Sequence, residues 1–499
     1  LKPISTPCCL SFLIMLCHVL RSNALQPLAR TVQYAPILRV AARANAERSA
    51  SRSVTTVADV ALKQEVGVHF AARSDKESTV NFAPEDGKVA FAGSSTLSLL
   101  RSYSLLELCR WRFLVNIGTR IMARATDPGS GFLGGMLLQV AKPAFVHFCA
   151  GERLEDCMVA SKKLAESARV TCIVDWSVEE REDASAWDQN CERKAETIRM
   201  ASEALGRSAA FVPVKLTALL SPALLERVAV LPAAGHGLDA LEHDLRSSLS
   251  SEDCALLDSS LERLRKLCRV ARDCSMPLLL DAEQSHRQPA VHVLARILQR
   301  EFNIDGKAVV YDTVQMYLRS APQRLEANLA SAQAGDYTFA VKLVRGAYIE
   351  QEGPLGTVCA SKAETDCQYN KSAARLLSAI SESEKATTDG PKVALLLATH
   401  NRKSLEQATS EMARLGLRRD HPNVHFAQIL GMVDNLTNAL GVGGYNAAKL
   451  VVFGQMREVL PWLLRRVQEN RDAFGAQSLE LPVMRAELRR RLLGGGASC

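Results

Sequence analysis

The sequence lacks the cysteine spacing of metal ribbons and of redox motifs. Its 14 cysteines are scattered over 499 residues, and no two of them form a CxxC pair. This usage is typical of a reducing compartment, and it argues against a zinc ribbon, a thioredoxin-like site and a disulfide-based fold. The GxSxG and HExxH motifs are absent too, so a serine, cysteine or metal nucleophile is not expected. No metal site is predicted.

The N-terminal segment has few acidic residues and no apolar run long enough to cross a bilayer. Cys8 to Leu20 is apolar over 13 residues, too few for a transmembrane helix. The stretch that follows is rich in Arg and Ser, with Glu47 as its single acidic residue up to Ala58. We interpret residues 1–60 as a disordered targeting leader, with a mitochondrial transit peptide favoured and a two-step plastid address as the alternative. The chain begins with Leu, which is consistent with a missing natural start.

Little net charge remains outside this leader. The formal net charge is +7, and seven basic residues against one acidic residue place +6 of it before Asp59. A nearly neutral body does not support a nucleic-acid partner. The length and the 47% apolar composition suit one large catalytic domain with appendages, or two to three ordinary domains.

Short apolar segments alternate with longer amphipathic ones from Ala168 onward. The predicted strands are residues 170–176, 211–217, 277–283, 308–315, 339–346, 393–400, 424–431 and 449–454. Apolar strands joined by helical crossovers predict a parallel sheet covered by helices. Eight of them favour an α/β fold with a closed (βα)₈ TIM-like barrel, and an open doubly wound sheet is the second choice.

The remaining segments are assigned around this barrel, which is predicted over residues 168–478. Residues 61–167 are expected to form an N-terminal helical arm, because Ser104 to Ala125 keeps apolar residues at three- and four-residue spacing. A helical insertion is predicted at about 231–260. In the C-terminal tail, 479–499, Met484 to Gly496 is expected to be a solvated end, or else a short amphipathic helix on a membrane or partner.

Polar residues fall at or just beyond the ends of six predicted strands. They are Asp175, Lys215, Asp281, Glu283, Gln315, Lys342, Arg345 and His400. In a barrel these ends share the face on which active sites lie. Gly346 and Ala347 have little or no side chain, so the backbone there is predicted to approach a flat ligand while Lys342 and Arg345 meet its electron-rich edge or phosphates. The alternative is a core strand capped by solvated basic residues.

The helix predicted from Glu458 to Asn470 has two distinct faces. Its apolar face is separate from one that carries Trp462, Arg465, Arg466 and Glu469. Two adjacent guanidiniums beside an aromatic ring suit a small substrate with a carboxylate and an apolar body. Solvated surface arginines are the alternative.

These motifs resemble a known family. DAEQSHRQPA from Asp281, KLVRGAY from Lys342, ATHN from Ala398 and VLPWLLRRVQEN from Val459 are similar to proline dehydrogenase motifs, in the same order. HFCAGE, VDWSVE and VKLTAL extend the resemblance, which covers about Ser94 to Gly475.

The resemblance implies a flavin enzyme. FAD is expected at the carboxyl face of a distorted (βα)₈ barrel, with L-proline oxidised to Δ1-pyrroline-5-carboxylate and electrons passed to a quinone of the inner mitochondrial membrane, on its matrix side. It implies that Arg465 and Arg466, together with Lys215, grip the proline carboxylate, and that Glu179 orders the Arg pair. Asp281 is placed on the amine side, Leu430 against the ring, and Lys342 near flavin N5. Further implied cofactor contacts are Gln315, Val344, Arg345, His400 and Glu469.

Two positions depart from the family pattern. Leu450 and Trp462 stand where proline-oxidising members have Tyr. Hydroxyproline dehydrogenases also lack the strand Tyr, so trans-4-hydroxyproline is the alternative substrate. Leu450 offers no partner to a hydroxyl, which favours proline. The alternative from a different functional class is a non-catalytic barrel that binds a carboxylate metabolite.

Overall fold

The computed structural model describes residues 82–126, 128–176, 183–231, 238–385, 392–469 and 480–493. The predicted leader lies outside these residues, and so does Glu179.

Eight parallel strands close into a barrel in chain order, which confirms the first-choice fold. Their bounds are β1 Thr171–Trp176, β2 Ala209–Val214, β3 Leu278–Leu280, β4 Val310–Gln315, β5 Phe339–Val344, β6 Val393–Ala398, β7 Val424–Ile429 and β8 Ala447–Phe453. Closure comes from β1, which pairs with β8 along its whole length, from Thr171–Ala448 to Trp176–Phe453. Every predicted strand is present, with ends that differ by a few residues.

Helices surround the barrel and precede it. Before β1 come α1 Gly87–Ala90, α2 Thr96–Cys109, α3 Arg112–Ala125, α4 Gly131–Phe148 and α5 Leu154–Ala168. Between strands lie α6 Ala184–Leu205, α7 Pro222–Ala229, α8 Leu238–Ser248, α9 Ser251–Asp273, α10 Gln288–Phe302, α11 Ala321–Ala334, α12 Ile349–Glu352, α13 Lys362–Lys385, α14 Arg402–Leu415 and α15 Asp434–Val442. After β8 come α16 Met456–Glu469 and α17 Glu480–Leu493.

Local sequence signals explain where these helices start and stop. The Asn401 side chain accepts a hydrogen bond from the Ser404 N–H at 3.2 Å and caps α14, which ends at Gly416 with φ 74°. Ser250 caps α9 in the same way through the Asp253 N–H. Helix α9 begins inside the predicted insertion, 231–260, and continues to Asp273, packed against α6 and α10.

The core has an inner and an outer part. The barrel interior is filled by one set of side chains: Ile173, Phe211, Leu279, Tyr311, Ala340, Ala394, Leu396, Ala427 and Ala448. Two larger apolar clusters lie between the strands and the surrounding helices. Successive strand residues face opposite sides, so each strand divides its side chains between these two regions.

A separate apolar cluster joins the N-terminal helices to the end of the chain. We call it the arm cluster; it contains Leu138, Phe145 and Phe148 of α4, Val459, Leu460 and Leu463 of α16, and Leu481, Met484 and Leu488 of α17. The expectation of a solvated end from Met484 is therefore wrong for the described part of the tail, because the apolar face of α17 is covered by the chain itself. Within the described residues, no helix has both the length and the hydropathy to cross a membrane.

Candidate active site

The strand alternation places three charged residues above the barrel core. Asp175, Asp281 and Lys342 each lie two positions after a residue of the interior layer, namely Ile173, Leu279 and Ala340. Residues two apart on a strand point to the same side. The three side chains therefore belong to the next layer, toward the carboxyl ends of the strands.

Lys342 and Asp281 form an ion pair at the mouth of the barrel, the opening at the carboxyl ends of the strands. Lys342 Nζ donates to Asp281 Oδ1 at 2.6 Å. The lysine side chain is 12% exposed and the aspartate 39%, so the cation is more deeply placed than its partner. A buried ammonium is retained when a carboxylate compensates it, and its other two donors can serve a ligand.

Asp175 adds a second carboxylate at the barrel mouth. Burial raises its pKa, Lys194 lowers it from 3.4 Å, Asp281 raises it and Lys342 lowers it, with a net rise. Asp281 and Lys342 therefore act electrostatically on a residue that comes from a different strand of the barrel. Lys194, on α6, also donates to the Trp176 carbonyl at 2.9 Å and ties β1 to its helix.

Glu283 and Gln315 connect the loops after β3, β4 and β5. Thr217 Oγ1 donates to Glu283 Oε1 at 3.0 Å, and Gln315 Nε2 donates to the Glu283 carbonyl at 2.9 Å. Gln315 Oε1 accepts from the Ala347 N–H at 3.1 Å. Burial raises the pKa of Glu283, and the nearby Lys215 ammonium opposes that rise. Gln315 thus fixes two loops, and Lys215 lies half-buried at the end of β2.

The guanidinium of Arg345 is held by the protein. Nε donates to Asp366 at 2.6 Å, Nη1 to Thr399 at 2.6 Å and Nη2 to Ser404 at 2.9 Å. The group also lies 4.5 Å from the centre of the Tyr369 ring. Arg345 therefore fastens the end of β5 to α13 and to the loop after β6. A direct cofactor contact by Arg345 stays a prediction.

Gly346 is needed for a reason that the sequence did not suggest. A Cβ there would lie 2.1 Å from Tyr317 Cδ1, and the residue has φ 144°. The Tyr317 hydroxyl donates to the buried Glu352, which also accepts from the Ser285 N–H. The missing side chain thus makes room for Tyr317. Close approach of a flat ligand to Gly346 and Ala347 stays a prediction.

His400 lies half-buried just after β6. Its Nε2 accepts a hydrogen bond from the Ile429 N–H at 3.1 Å.

At the β7 and β8 side of the mouth the Leu430 backbone adjoins Leu450, while the Leu430 side chain packs against the outer core. The Leu430 N–H donates to the Leu450 carbonyl at 3.1 Å. Leu450 packs against both the barrel interior and the arm cluster, and Trp462 packs against the arm cluster. Leu450 and Trp462, the two positions that depart from the family pattern, therefore both pack against the arm cluster. Val344, half-buried, pairs with Gln315 across β5 and β4.

The Arg pair is carried by α16. Its buried face holds Val459, Leu460 and Leu463, while Arg465 is exposed and Arg466 half-buried. Glu469 is the last residue of the helix. The carboxylate-binding role of this pair stays a prediction.

Several polar partners were missed by sequence reasoning. Lys194, Asp366, Thr399, Ser404 and Tyr317 all touch or support mouth residues. Thr399 lies within the ATHN motif, so it was open to prediction. Asp366 and Lys194 lie on helices among many charged residues, and no spacing distinguishes them. Groups of three or more His, Cys, Asp or Glu side chains able to hold a metal were not found in the described ranges.

The family model for proline dehydrogenase matches residues 158–477, about two thirds of the chain and the whole barrel. The chain belongs to the proline dehydrogenase family. This membership makes the protein an oxidoreductase, and it confirms the resemblance found in the strand-end motifs.

Two relatives show the range of the family. The mitochondrial proline dehydrogenase 1 of Arabidopsis thaliana is 30% identical over 434 residues, which are 81% of this chain and 85% of the relative. The hydroxyproline dehydrogenase of Mus musculus is 31% identical over 432 residues, which are 81% of this chain and 93% of the relative. Relatives with two different names are thus almost equally similar to it.

A solved structure agrees with the fold. The crystal structure of proline utilization A from Bdellovibrio bacteriovorus, inactivated by N-propargylglycine, superposes with a TM-score of 0.58 at 18% identity. The match covers 83% of this chain and 43% of that one, so this chain spans less than half of that protein.

Proposed function

We propose that this protein catalyses the FAD-dependent oxidation of L-proline to Δ1-pyrroline-5-carboxylate and passes the electrons to a quinone. The observation that carries the proposal is the Lys342–Asp281 pair, with its 2.6 Å contact at the barrel mouth. It places a cation and a carboxylate within two of the motifs that resemble the family.

The residues at the mouth fit a flavin. Lys342 and Arg345 place two cations at the end of β5, each also bonded to a carboxylate, and such donors suit a cofactor with a diphosphate and a ring that gains negative charge on reduction. Lys342 has donors beyond the one that Asp281 accepts. When bound, FAD supplies the acceptor for the two electrons that leave the substrate. Gln315, Val344, Gly346, Ala347, His400 and Glu469 are the further residues that would hold it.

The substrate would be oriented by charge at one end and by apolar contact at the other. In this proposal Arg465, Arg466 and Lys215 bind the carboxylate, and Glu179 orders the arginine pair. Asp281 lies on the amine side, where it holds the unprotonated amine in place. Leu430, Leu450 and Trp462 enclose the ring. Rigid placement of the reacting carbon lowers the entropic part of the barrier.

The test is anaerobic flavin reduction. We expect purified protein to be yellow and its flavin band to bleach on addition of proline. Arg465→Met and Arg466→Met should keep the flavin bound while bleaching slows by about 100-fold or more, because the carboxylate loses its clamp. Colourless protein that stays apo with added FAD contradicts the proposal. Unchanged kinetics in both variants removes the clamp.

Hydroxyproline is the second candidate substrate. It is favoured by Leu450 in place of the strand Tyr and by the similarity to hydroxyproline dehydrogenases. The apolar contacts of Leu450 favour proline, since a hydroxyl there would be desolvated without a partner. Adding each imino acid in parallel decides between them: the larger rate of bleaching at equal concentration identifies the substrate.

We also propose a mitochondrial location, on the matrix side of the inner membrane, with a plastid as the alternative. The Arg-rich, acid-poor leader and the mitochondrial names of two Arabidopsis relatives support this. A fluorescent protein fused after residue 60 should enter mitochondria; import into plastids would favour the alternative. Turnover with a quinone analogue tests the acceptor, and binding of proline without any reduction supports the non-catalytic barrel.

A further inference from the structure

Helix α4 is apolar on two opposite sides. Its inner side buries Leu138, Phe145 and Phe148 in the arm cluster. Its outer side exposes Phe132, Met136 and Val140, which recur every four residues and therefore form one stripe. Phe132 is 85% exposed and Met136 54%. An exposed apolar stripe of this kind marks contact with a partner or a membrane, so something is expected to cover it.

The surroundings of the stripe are basic. From Leu108 to Gly151 the sequence has four arginines and Lys142 against one acidic residue, Asp127. Arg120, Arg124 and Lys142 are exposed, and Arg110 is exposed but paired with Glu107 at 2.8 Å. Helix α3, which carries Arg120 and Arg124, packs against α4. The exposed indole of Trp111 stands at the start of α3, and its amphipathic ring is of the kind found at membrane interfaces.

The positive charge around the stripe distinguishes between the two binding partners that could cover it, a second copy of the chain and a lipid surface. In a symmetric contact between two copies, the same patch faces itself, and the basic residues of one copy would meet those of the other. An anionic lipid surface instead attracts each cation and accepts the apolar stripe. A helix of 18 residues with this hydropathy lies along such a surface and does not cross it.

We propose that the outer stripe of α4, with Trp111 and the neighbouring arginines, docks this protein on an anionic phospholipid bilayer, with α4 parallel to the membrane. The inner side of the same helix belongs to the cluster that contacts Leu450 and Trp462. Helix α4 thus connects the docking surface to the cluster on which two of the proposed substrate contacts pack. A lipid-soluble electron acceptor would then be collected next to the site, and this last link rests on the proposed function.

Vesicle sedimentation of the purified holoprotein tests the docking. The vesicles are phosphatidylcholine alone, or phosphatidylcholine with about one third phosphatidylglycerol to supply the negative surface potential. We expect wild-type protein to sediment with the anionic vesicles and much less with the neutral ones. The double variant Phe132→Glu/Met136→Glu should lose at least about tenfold in vesicle affinity. Arg120→Glu/Arg124→Glu should lose the preference for anionic lipid, about 30-fold or more for two reversed charges at roughly 1 kcal/mol each.

Matched control variants test whether a loss of vesicle binding is caused by misfolding. Val159→Glu changes another exposed apolar residue, on α5, and Arg199→Glu reverses an exposed arginine on α6; both should bind vesicles as wild type does. Equal flavin content and melting temperature show that the variants are folded. Wild-type protein that stays in the supernatant with anionic vesicles overturns the proposal. A wild-type dimer that Phe132→Glu/Met136→Glu makes monomeric, with no lipid binding, assigns the stripe to a second copy.

The same variants separate this inference from the proposed function. With a water-soluble dye as acceptor, Phe132→Glu/Met136→Glu should oxidise proline as fast as wild type. With a quinone embedded in anionic vesicles it should be slower by about the same factor as its loss of vesicle affinity. If proline reduces no flavin in any variant, the proposed function fails while the sedimentation result stands. Equal rates with embedded quinone would remove the link between docking and electron transfer.

Discussion

Gly346 shows how strongly one residue at the barrel mouth is constrained. Its φ is 144°, and a Cβ at this position would lie 2.1 Å from Tyr317 Cδ1, so any side chain would be strained and would displace the ring. Tyr317 in turn is bonded to Glu352, which holds the Ser285 N–H in the loop after β3. A substitution at Gly346 that displaces Tyr317 is therefore expected to disturb two neighbouring loops.

We predict that Gly346→Ala lowers the free energy of unfolding by about 2–4 kcal/mol, through backbone strain and overpacking. Chemical denaturation measures this loss. Gly135→Ala is the matched control, because a Cβ there has no neighbour within 4 Å and lies in α4, where Ala is favoured. A Gly346→Ala protein as stable as wild type would show that Tyr317 moves without cost.

Lys342 is the residue on which the proposed chemistry depends most. In the Lys342→Met variant we expect FAD to remain bound while the rate of flavin reduction by proline falls by about 100-fold or more, since a fixed cation at the site of charge development is removed. Stability should change less than activity, because the Asp281 carboxylate is 39% exposed and can be solvated. Stopped-flow absorbance measures the rate. A variant that reduces its flavin at the wild-type rate contradicts this role.

At the scale of elements, the loop between β7 and α15 is held from three directions. Lys449, fully buried on the outer side of β8, donates to the carbonyls of Ile429 at 3.0 Å and Met432 at 2.6 Å and lies 2.8 Å from Asp434 Oδ1. From α4, His147 Nε2 bonds the Gly431 carbonyl at 3.1 Å. From α17, Glu480 accepts from the Asp434 N–H at 2.7 Å. This loop carries Leu430, the predicted ring contact.

Loss of the lysine should loosen that loop. We predict that Lys449→Met destabilises the protein by about 2–4 kcal/mol, because two carbonyls lose their donor and Asp434 loses its counter-charge. KM for the imino acid should rise as Leu430 becomes less fixed. The double variant Lys449→Met/Asp434→Asn should regain part of the stability, because no uncompensated carboxylate remains. If the double variant is less stable than the single one, the ion pair is not the source of the effect.

Glu480 is expected to make the stability of the α17 contact depend on pH. Burial, helped by the neighbouring Asp434 carboxylate and opposed by Lys449, raises its pKa from 4.5 to about 8. The folded state therefore keeps a proton that the unfolded state releases near pH 4.5. The stability that this proton contributes is full below that pH and is lost as the pH rises toward 8, by up to about 1.4 kcal/mol per pH unit.

We predict that Glu480→Gln removes this component, since an amide keeps the acceptor for the Asp434 N–H but does not ionise. Denaturation curves at pH 6 and 8 measure it: the difference in stability between the two pH values should be smaller in the variant than in wild type. Glu242→Gln, at a partly exposed ion pair on α8, is the control and should leave the difference unchanged. Equal pH dependence in wild type and Glu480→Gln would contradict the prediction.

At the scale of the whole molecule, barrel closure brings residues from distant parts of the chain to one mouth. Asp175 and His400 are more than two hundred positions apart, yet both lie at the carboxyl ends of strands in the same closed sheet. A ligand held at this mouth contacts many elements at once and so stabilises the molecule globally.

We therefore predict that FAD raises the melting temperature by several degrees. At a concentration one hundred times its Kd, a ligand stabilises the folded state by about 2.7 kcal/mol. Differential scanning fluorimetry of apo protein with and without FAD measures the shift. Arg345→Met should reduce it, because β5 loses its attachment to Asp366, Thr399 and Ser404. An adenine nucleotide without the flavin ring is the control and should give a smaller shift.

The sequence predicted the eight strands and the polar residues at their ends, because apolar runs and strand-end charges are local patterns. It missed that α17 packs on the arm, since its arginines gave it the composition of a solvated helix. The apolar side formed by Leu481, Met484 and Leu488 becomes evident only when the arm cluster is present. The sequence also gave no sign that the Tyr317 ring lies against Gly346.

Family membership, strand order and the identity of the mouth residues were thus readable from the chain alone, because each depends on neighbours in sequence or on motifs. The pairing of Lys342 with Asp281, the attachment of Arg345 to three protein partners and the buried Lys449 are different. They join residues 17 to 61 positions apart on different strands, helices and loops, and only the folded barrel brings those groups within bonding distance.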